Sequence, residues 1–521
     1  MKLVIVHFHL RPGGIRRVIE LAAPYLVRQL DGVDSVVLAG GEAGDRRWNE
    51  TFTRALRPTP VEFFVEPAFN YVSEQKLPPD RMRRALVTAL RRLLAGLSAR
   101  DGLLWAHNLG IGRNLILTRE LTRACAQRNI PLIAHHHDWW FDNRWQRWPE
   151  MRRFGVRTLK AAAQIVFPAA KNLCHIAINH ADASVLLRHF PGRADWLPNL
   201  AGRNATPPLL QVRAAKRWLQ NKLGTRMSPV WILPCRLLRR KNVAEALLLT
   251  RWLRPEAWLV TTGGVSSADE QAYHDKLAAA AHKQHWRIRL GVLAGDESRK
   301  PSVAELLAAS EAVLLTSIQE GFGLPFLEAA AAGRPLIARN LPIIAPDLAK
   351  FGFVFPQSYD ELRVAPSLFD WPAEQQRQEW LYARWRRQLP RNCQAWAGQP
   401  LVLAAGNQPK TVPFSRLTLT AQLEVLAQPV ALSWELCAPL NPLLREWRSR
   451  AAAGKLRVTP WPRGAERWLG GEAYARRFRE VLKGGRAQPS ARNAAEAAQA
   501  DFIRRKLASR HLHPLLWSTD T

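Results

Sequence analysis

The sequence predicts an α/β protein with two Rossmann-like parallel-sheet domains and a C-terminal extension. Three observations carry that prediction. Short apolar runs alternate with longer amphipathic segments as far as about residue 365, the pattern of strand–helix–strand units. This alternation starts twice, once at Lys2–Leu10 before Gly13-Gly14 and again at Pro229–Cys235 before a basic turn, Arg236 to Lys241. The chain is 521 residues long, which suits two or three domains with large cores. The expected boundaries are 1–205, 206–365 and 366–521.

In the first domain, the opening strand Lys2 to Leu10 runs into Arg11-Pro-Gly-Gly and an amphipathic helix, a turn hospitable to phosphate. The dinucleotide fingerprint G-x-G-x-x-G is absent there. Strands are expected at Ser35–Leu38 and Val61–Val65, and a basic helix at Asp80–Ser98. A further strand, Leu103 to Ala106, ends in His107-Asn108. A helix lies within Gly110–Arg128, and the strand from Pro131 ends in His135-His-His-Asp-Trp-Trp. Successive side chains of a strand point to opposite faces, so at most two of these three histidines can share an ion. No H-E-x-x-H pattern or cysteine accompanies them, and no metal site is assigned. Lining a ligand crevice at the strand's carboxyl end, beside aromatics, suits the run better. Asp182–His189 is expected to be helical, and Thr206–Pro208 a hinge.

The second series places a strand over Pro229–Cys235. Arg236 ends it and Lys241 opens the next helix, a guanidinium and an ammonium suited to a diphosphate and its leaving-group charge. Trp258–Thr261 and Ile288–Val292 follow as strands, with Tyr273–His285 and Val303–Ala309 as helices. A buried strand over Ala312–Thr316 then leads into Gln319-Glu-Gly-Phe-Gly-Leu-Pro-Phe-Leu-Glu328. Gly321, Phe322, Gly323 and Leu324 turn the chain, and the two glycines let a ligand approach the backbone. Pro325 suits the first helical position and Gly333 a C-terminal cap. The free N–H groups of that helix start suit a phosphate. Glu320 and Glu328 suit the hydroxyl-rich ends of such a ligand, since carboxylates accept from hydroxyls and repel phosphate.

Glu320-Gly-Phe-Gly-Leu-Pro-Phe-Leu-Glu328 resembles the E-x7-E motif of the retaining glycosyltransferases of family 4. The resemblance implies the GT-B fold, with its two domains facing a crevice, the first of them on the acceptor side. It implies that Glu320 contacts the donor sugar and Glu328 the nucleotide ribose. Arg236-Leu-Leu-Arg-Arg-Lys241-Asn is similar to the family's diphosphate-gripping Arg and Lys, although Cys235 stands where that segment usually has Gly. Gly13 and Gly14 resemble the N-terminal loop near donor phosphates and acceptor. His137, with Asp138, matches the histidine near the donor sugar, and His107-Asn108 is a second family-like position on the acceptor side. Ala194-Asp-Trp-Leu-Pro-Asn resembles the close of the N-terminal domain. The resemblance is strongest over about residues 197–348 and unspecific beyond about 365.

Composition bounds the partners. There are 75 Lys and Arg against 43 Asp and Glu, a net charge of +32, which favours anionic ligands. The 21 Trp far outnumber the 6 Tyr; most belong to core or crevice wall, and some suit stacking on sugars. The 5 Cys are widely spaced, which fits a reducing compartment. The N-terminus does not read as a signal peptide, and no run reaches the roughly 18 to 20 apolar residues of a membrane span. A cytoplasmic location is expected.

Beyond Asp370 a Trp-bearing helix, 371–388, suits the helix that GT-B chains send back to the N-terminal domain. Strands are expected at Leu401–Ala404 and Val430–Trp434, helices at 443–453, 467–482 and 491–510, and a linker at 484–492. The reading that follows is metal-independent transfer of a hexose, with retention, from a nucleoside-diphosphate sugar to an acceptor hydroxyl, with no cofactor. The acceptor's class is open, no nucleic acid partner is expected, and the basic surface leaves peripheral contact with an anionic surface open. The alternatives are a sugar phosphorylase-like enzyme on the same fold, and a basic protein binding RNA or an anionic surface without catalysis.

Overall fold

The structure, a computed structural model, describes residues 1–202, 207–225, 227–265, 267–295, 300–406, 409–484 and 491–517. The chain divides into two compact units. One comprises Met1–Ala201, Gln388–Trp396 and Gly464–Lys506, the other Gly202–Arg387, Ala397–Arg463 and Leu507–Thr521. Residues beyond 365 therefore contribute to both.

The first unit is built on a sheet of β1 Lys2–Val6, β2 Ser35–Gly40, β3 Val61–Val65, β4 Gly102–His107, β5 Leu132–His136, β6 Leu173–Ala177 and β7 Ala194–Trp196. Its order is β3-β2-β1-β4-β5-β6-β7, parallel throughout. Both faces are covered, so the strands are near-continuous apolar runs rather than alternating ones. Leu3 and Ile5 pack with Ile19, Ala22 and Leu26 of helix Gly14–Gln29. Val4 and Val6 pack on the other face with Leu86 and Leu90 of helix Pro79–Leu93. The order reverses between β1 and β4, so the loops after these two strands flank the switch point where such sheets bind ligands.

The second unit repeats the plan with β8 Val230–Leu233, β9 Trp258–Thr261, β10 Ile288–Arg289, β11 Ala312–Leu315, β12 Leu336–Arg339 and β13 Gln357–Tyr359. The order is β10-β9-β8-β11-β12-β13, again parallel. Its switch point lies between β8 and β11, whose following loops carry the basic turn and the Glu-Gly-Phe-Gly stretch. The strand expected at 288–292 is shorter because Gly291, at φ +61°, turns the chain.

Two tail segments differ from expectation. Leu401–Ala404 and Val430–Cys437 are helices. Each is a short apolar run, which periodicity alone cannot assign to strand or helix, and each follows a proline, Pro400 or Pro429, that stands outside the first turn. The helical spacing of Ser433 and Cys437 buries both, and Trp252 Nε1 donates to Ser433 Oγ at 3.1 Å. Helix Trp371–Gln388 lies almost wholly in the second unit, where Gln378 bonds the Arg416 carbonyl at 2.7 Å. Helix Gly471–Lys483 of the tail belongs to the first unit and packs against helix Gly14–Gln29. A Cβ on Gly471 would sit 2.1 Å from the Tyr25 ring, so this approach requires glycine. Of the expected hinge and linker, Thr206 and residues 485–490 lie outside the described residues.

Candidate functional site

In the second unit, parallel pairing of β8 with β11 places their loops side by side. Ile318 N–H donates to the Arg240 carbonyl at 2.8 Å, and Thr316 Oγ1 to the Lys241 carbonyl at 2.9 Å. Asn242 sits at φ +48°, in the left-handed region that Asn tolerates, and there the basic turn passes into helix Val243–Leu253. This arrangement brings Lys241 Nζ onto Glu320 Oε1, while Arg240 Nη1 donates to Glu320 Oε2 at 3.0 Å and to the Gln319 carbonyl at 2.9 Å. The Glu320 and Lys241 side chains are only 9% and 8% exposed. Burial pushes the Glu320 carboxyl up, but the charges of Lys241 and Arg240 overcome it and hold the pKa at about 2. Glu320 is therefore an anion at neutral pH. Arg240 belonged to the expected basic turn without a role; its place in a run of three cations was the signal.

Past Glu320, Gly321 is half-buried and Phe322 buried against Phe351, the rings 6.3 Å apart. Gly323 stands at φ +85° ahead of helix Leu324–Ala331. A Cβ there would meet Ile344 Cδ1 at 2.7 Å. No side chain caps this helix, and Pro325 stands in its first turn. The N–H groups at its start point out of the helix with its partial positive charge. Glu328 is exposed on the same helix. Arg236 is exposed, and its backbone lies against Gly263, whose Cβ would meet Arg236 Cα at 3.1 Å. Cys235 is buried, its thiol pushed up to about 12 by burial, so it contributes packing rather than a thiolate.

In the first unit, the ends of β4 and β5 carry the other expected residues. His107 ends β4 and Asn108 follows it, His137 and Asp138 follow β5, and His107 Nδ1 lies 3.1 Å from His137 Nε2. Asn108, at φ +62°, accepts from the Asp138 N–H through Oδ1 at 2.9 Å, and Arg144 donates to Asp138 Oδ1 at 3.3 Å. Burial, partly offset by Asp138, lowers the His137 pKa to about 4, so its ring is neutral at pH 7. Gly13 and Gly14 are exposed at the start of helix Gly14–Gln29, with open space where a Cβ on Gly14 would stand.

Strand alternation puts His135 and His137 on one side and His136 on the other, where it pairs with His175 at 3.0 Å. His107, His135 and His137 bring ring nitrogens within 4.8 Å of one another. However, Trp105 Nε1 lies 3.2 Å from His135 Nδ1. An indole nitrogen only donates, so Nδ1 is the acceptor and the proton sits on Nε2. Neither nitrogen of His135 then offers a lone pair to an ion.

Residues beyond the expected set hold this loop. Asp142 accepts from the Trp139 N–H at 2.7 Å and from Lys506 Nζ at 2.5 Å, and Asp182 accepts from Trp139 Nε1 at 2.9 Å. Phe502 packs against Trp139, centroids 4.7 Å apart. Lys506 and Phe502 come from the far end of the chain, a pairing no local pattern signals.

Residues 219–361 match the family described as glycosyl transferases group 1. The chain is 24% identical over 349 residues to mannosylglucosyl-3-phosphoglycerate synthase of Petrotoga mobilis, covering 66% of this chain and 65% of that one. It is 22% identical over 265 residues to mannosylglucosylglycerate synthase of the same organism, covering 44% and 57%. The chain thus spans less than two thirds of the length of either relative. Among solved structures, Anabaena Alr3699/HepE in complex with UDP-glucose superposes with a TM-score of 0.51 at 15% identity, over 93% of this chain and 99% of that one. The same protein with UDP and glucose gives 0.50 at 14%. At such identities the likeness speaks to the fold. The chain accordingly has the GT-B fold of two parallel-sheet domains, and its residues 219–361 form a glycosyl transferases group 1 domain.

Proposed function

We propose that the protein is a retaining glycosyltransferase of family 4, which moves a hexose from a nucleoside-diphosphate sugar to an acceptor hydroxyl without a metal ion. The observation that carries this reading is Glu320, buried and ionised between Lys241 and Arg240 beside the start of helix Leu324–Ala331, inside a group 1 domain. The helix start, Arg236, Arg240 and Lys241 offer positive charge for a diphosphate. Glu320 is assigned to the donor sugar's hydroxyls and Glu328 to the ribose, with Gly321, Phe322, Gly323 and Leu324 forming the wall that the donor approaches. In the first unit, His137 and Asp138 are assigned to sugar and acceptor hydroxyls, His107 and Asn108 to holding them, and Gly13 and Gly14 to the open turn beside the ligand. A neutral His137 acts as a hydrogen-bonding partner rather than a proton donor.

In the proposed step, the bond from the anomeric carbon to the diphosphate oxygen breaks, and the acceptor oxygen bonds to that carbon on the same face. The departing phosphate oxygen takes the acceptor's proton, so the products are the glycoside and the nucleoside diphosphate. Positioning and leaving-group stabilisation supply most of the rate. The named relatives are synthases of mannosylglucosyl compounds, and the solved structures hold UDP or UDP-glucose. GDP-mannose and UDP-glucose are accordingly the first donors to try, with glucosyl-3-phosphoglycerate and glucosylglycerate as acceptors. A thermal-shift screen against UDP-, GDP- and ADP-hexoses selects the donor, and NMR of the product reads the anomer. Retention and an undiminished rate in excess chelator are expected; an inverted linkage or strict dependence on added divalent ion overturns the mechanism.

A further inference from the structure

Within the first unit, a cavity of about 470 Å³ is lined by Trp148, Arg152, Arg157, Thr158 and Arg391, among others. We propose that this cavity binds the phosphate group of an anionic ligand. Its walls come from three places in the sequence. Arg152 stands in the last turn of helix Arg147–Arg153, Thr158 caps helix Leu159–Val166, and Arg391 arrives with the 388–396 segment of the tail. The inference does not depend on the transfer reaction.

Among the described residues no carboxylate lines the cavity, and two acids close by in sequence or paired to a neighbouring residue are already engaged: Glu150 with Arg147 at 3.2 Å, and Glu496 with Lys160 at 3.5 Å. Among the described residues, Arg152, Arg157 and Arg391 make no salt bridge and no side-chain hydrogen bond. The three residues are exposed, so solvent screens much of their mutual repulsion, but an anion bound among them removes what remains. Their planar donor forks match phosphate oxygens in particular.

Thr158 Oγ1 accepts from the Ala161 N–H at 3.1 Å, while the N–H groups of Leu159 and Lys160 have no intrahelical acceptor. They open toward the end of the helix that carries partial positive charge. Trp148, 9% exposed and stacked on Trp140 with centroids 5.7 Å apart, gives the cavity an apolar wall. The volume lies within the roughly 300–1,000 Å³ of small-molecule pockets, so a phosphate leaves room for the body that bears it. That body is either a soluble molecule or a lipid presenting its headgroup.

The test compares the full chain with two triple variants. One is Arg152→Gln/Arg157→Gln/Arg391→Gln. The other, Arg81→Gln/Arg84→Gln/Arg91→Gln, removes the same charge from exposed positions of helix Pro79–Leu93. All are titrated calorimetrically with inorganic phosphate and with pyrophosphate, and co-sedimented with phosphatidylglycerol or phosphatidylcholine vesicles. Binding at Arg236, Arg240 and Lys241 is common to all three proteins and cancels. The cavity variant is expected to lose about tenfold in affinity for each arginine that contacts the anion, while the control matches the parent. Loss in the titrations identifies a soluble phosphate ligand, and loss confined to phosphatidylglycerol vesicles identifies a headgroup. A cavity variant that folds, by circular dichroism and melting, and equals the control in both arms overturns the proposal.

Discussion

At the scale of single residues, Glu320 is the informative one, because its ionisation is held against burial by two cations from another loop. Opposite charges at hydrogen-bond distance favour the charged form more than desolvation disfavours it here. Glu320→Gln keeps the shape and removes the anion. It is expected to lower kcat by about 10²–10³-fold if the carboxylate acts on the sugar in the transition state. KM for the donor should change much less, since the helix start and the arginines remain. Steady-state kinetics with the selected donor decide it. A variant whose kcat is unchanged would leave Glu320 a purely structural partner of Lys241 and Arg240.

Elements set where such residues stand. Gly323 links β11 to helix Leu324–Ala331 in the left-handed region, and a side chain there also meets Ile344. Gly323→Ala is expected to cost about 1–2 kcal/mol from conformation alone, with more from the contact. Chemical denaturation measures it, and a variant as stable as the parent contradicts the backbone argument. Nearby, β12 is tied to β13 and the tail by a buried charge network. Arg339 donates to Glu245 Oε2 at 2.6 Å and Glu361 Oε2 at 2.6 Å, Tyr359 Oη donates to Glu245 at 2.5 Å, and Arg416 donates to Glu361 at 3.1 Å. Arg339→Met leaves Glu245 buried without its cation, which should cost about 3–5 kcal/mol. Urea midpoints of Arg339→Met and of the double variant with Glu245→Gln separate the two effects: the second substitution should recover part of the loss.

For the molecule as a whole, the relevant sums are over charge and over buried histidines. Burial holds His7 at about 3 and His137 and His175 at about 4, and it takes His107, His135 and His136 well below the ordinary value. All six are neutral when folded, whereas in the unfolded chain each protonates near about pH 6.5. Below that value the unfolded state binds more protons than the native one, so stability falls as pH falls. The contribution is complete above about pH 6.5 and erodes from there toward the folded pKa values near 4. Melting temperatures between about pH 7.5 and 5 should drop steadily on the acid side; a flat profile is incompatible with histidines buried in the neutral form. The same basic surface that gives a net charge of +32 supplies the arginines of the cavity beside Trp148.

Much of this was legible in order along the chain. Alternating apolar runs announced both sheets, the Gly-Phe-Gly turn and Pro325 announced helix Leu324–Ala331, and the E-x7-E spacing singled out Glu320 and Glu328 as candidates. These signals are local: a strand's apolar run, a glycine at positive φ and a proline in a first turn follow from a few neighbouring residues. Tertiary structure alone decided that Lys241 and Arg240 would hold Glu320, about 80 positions away, because that contact follows from β8 lying beside β11. It fixed the apolar run at 430 as a helix, where Ser433 meets Trp252. It alone sent Phe502 and Lys506 to the loop after β5 and Arg391 to the cavity. Pattern along a chain reports which face of an element is apolar; which partner covers that face depends on the packing of every other element.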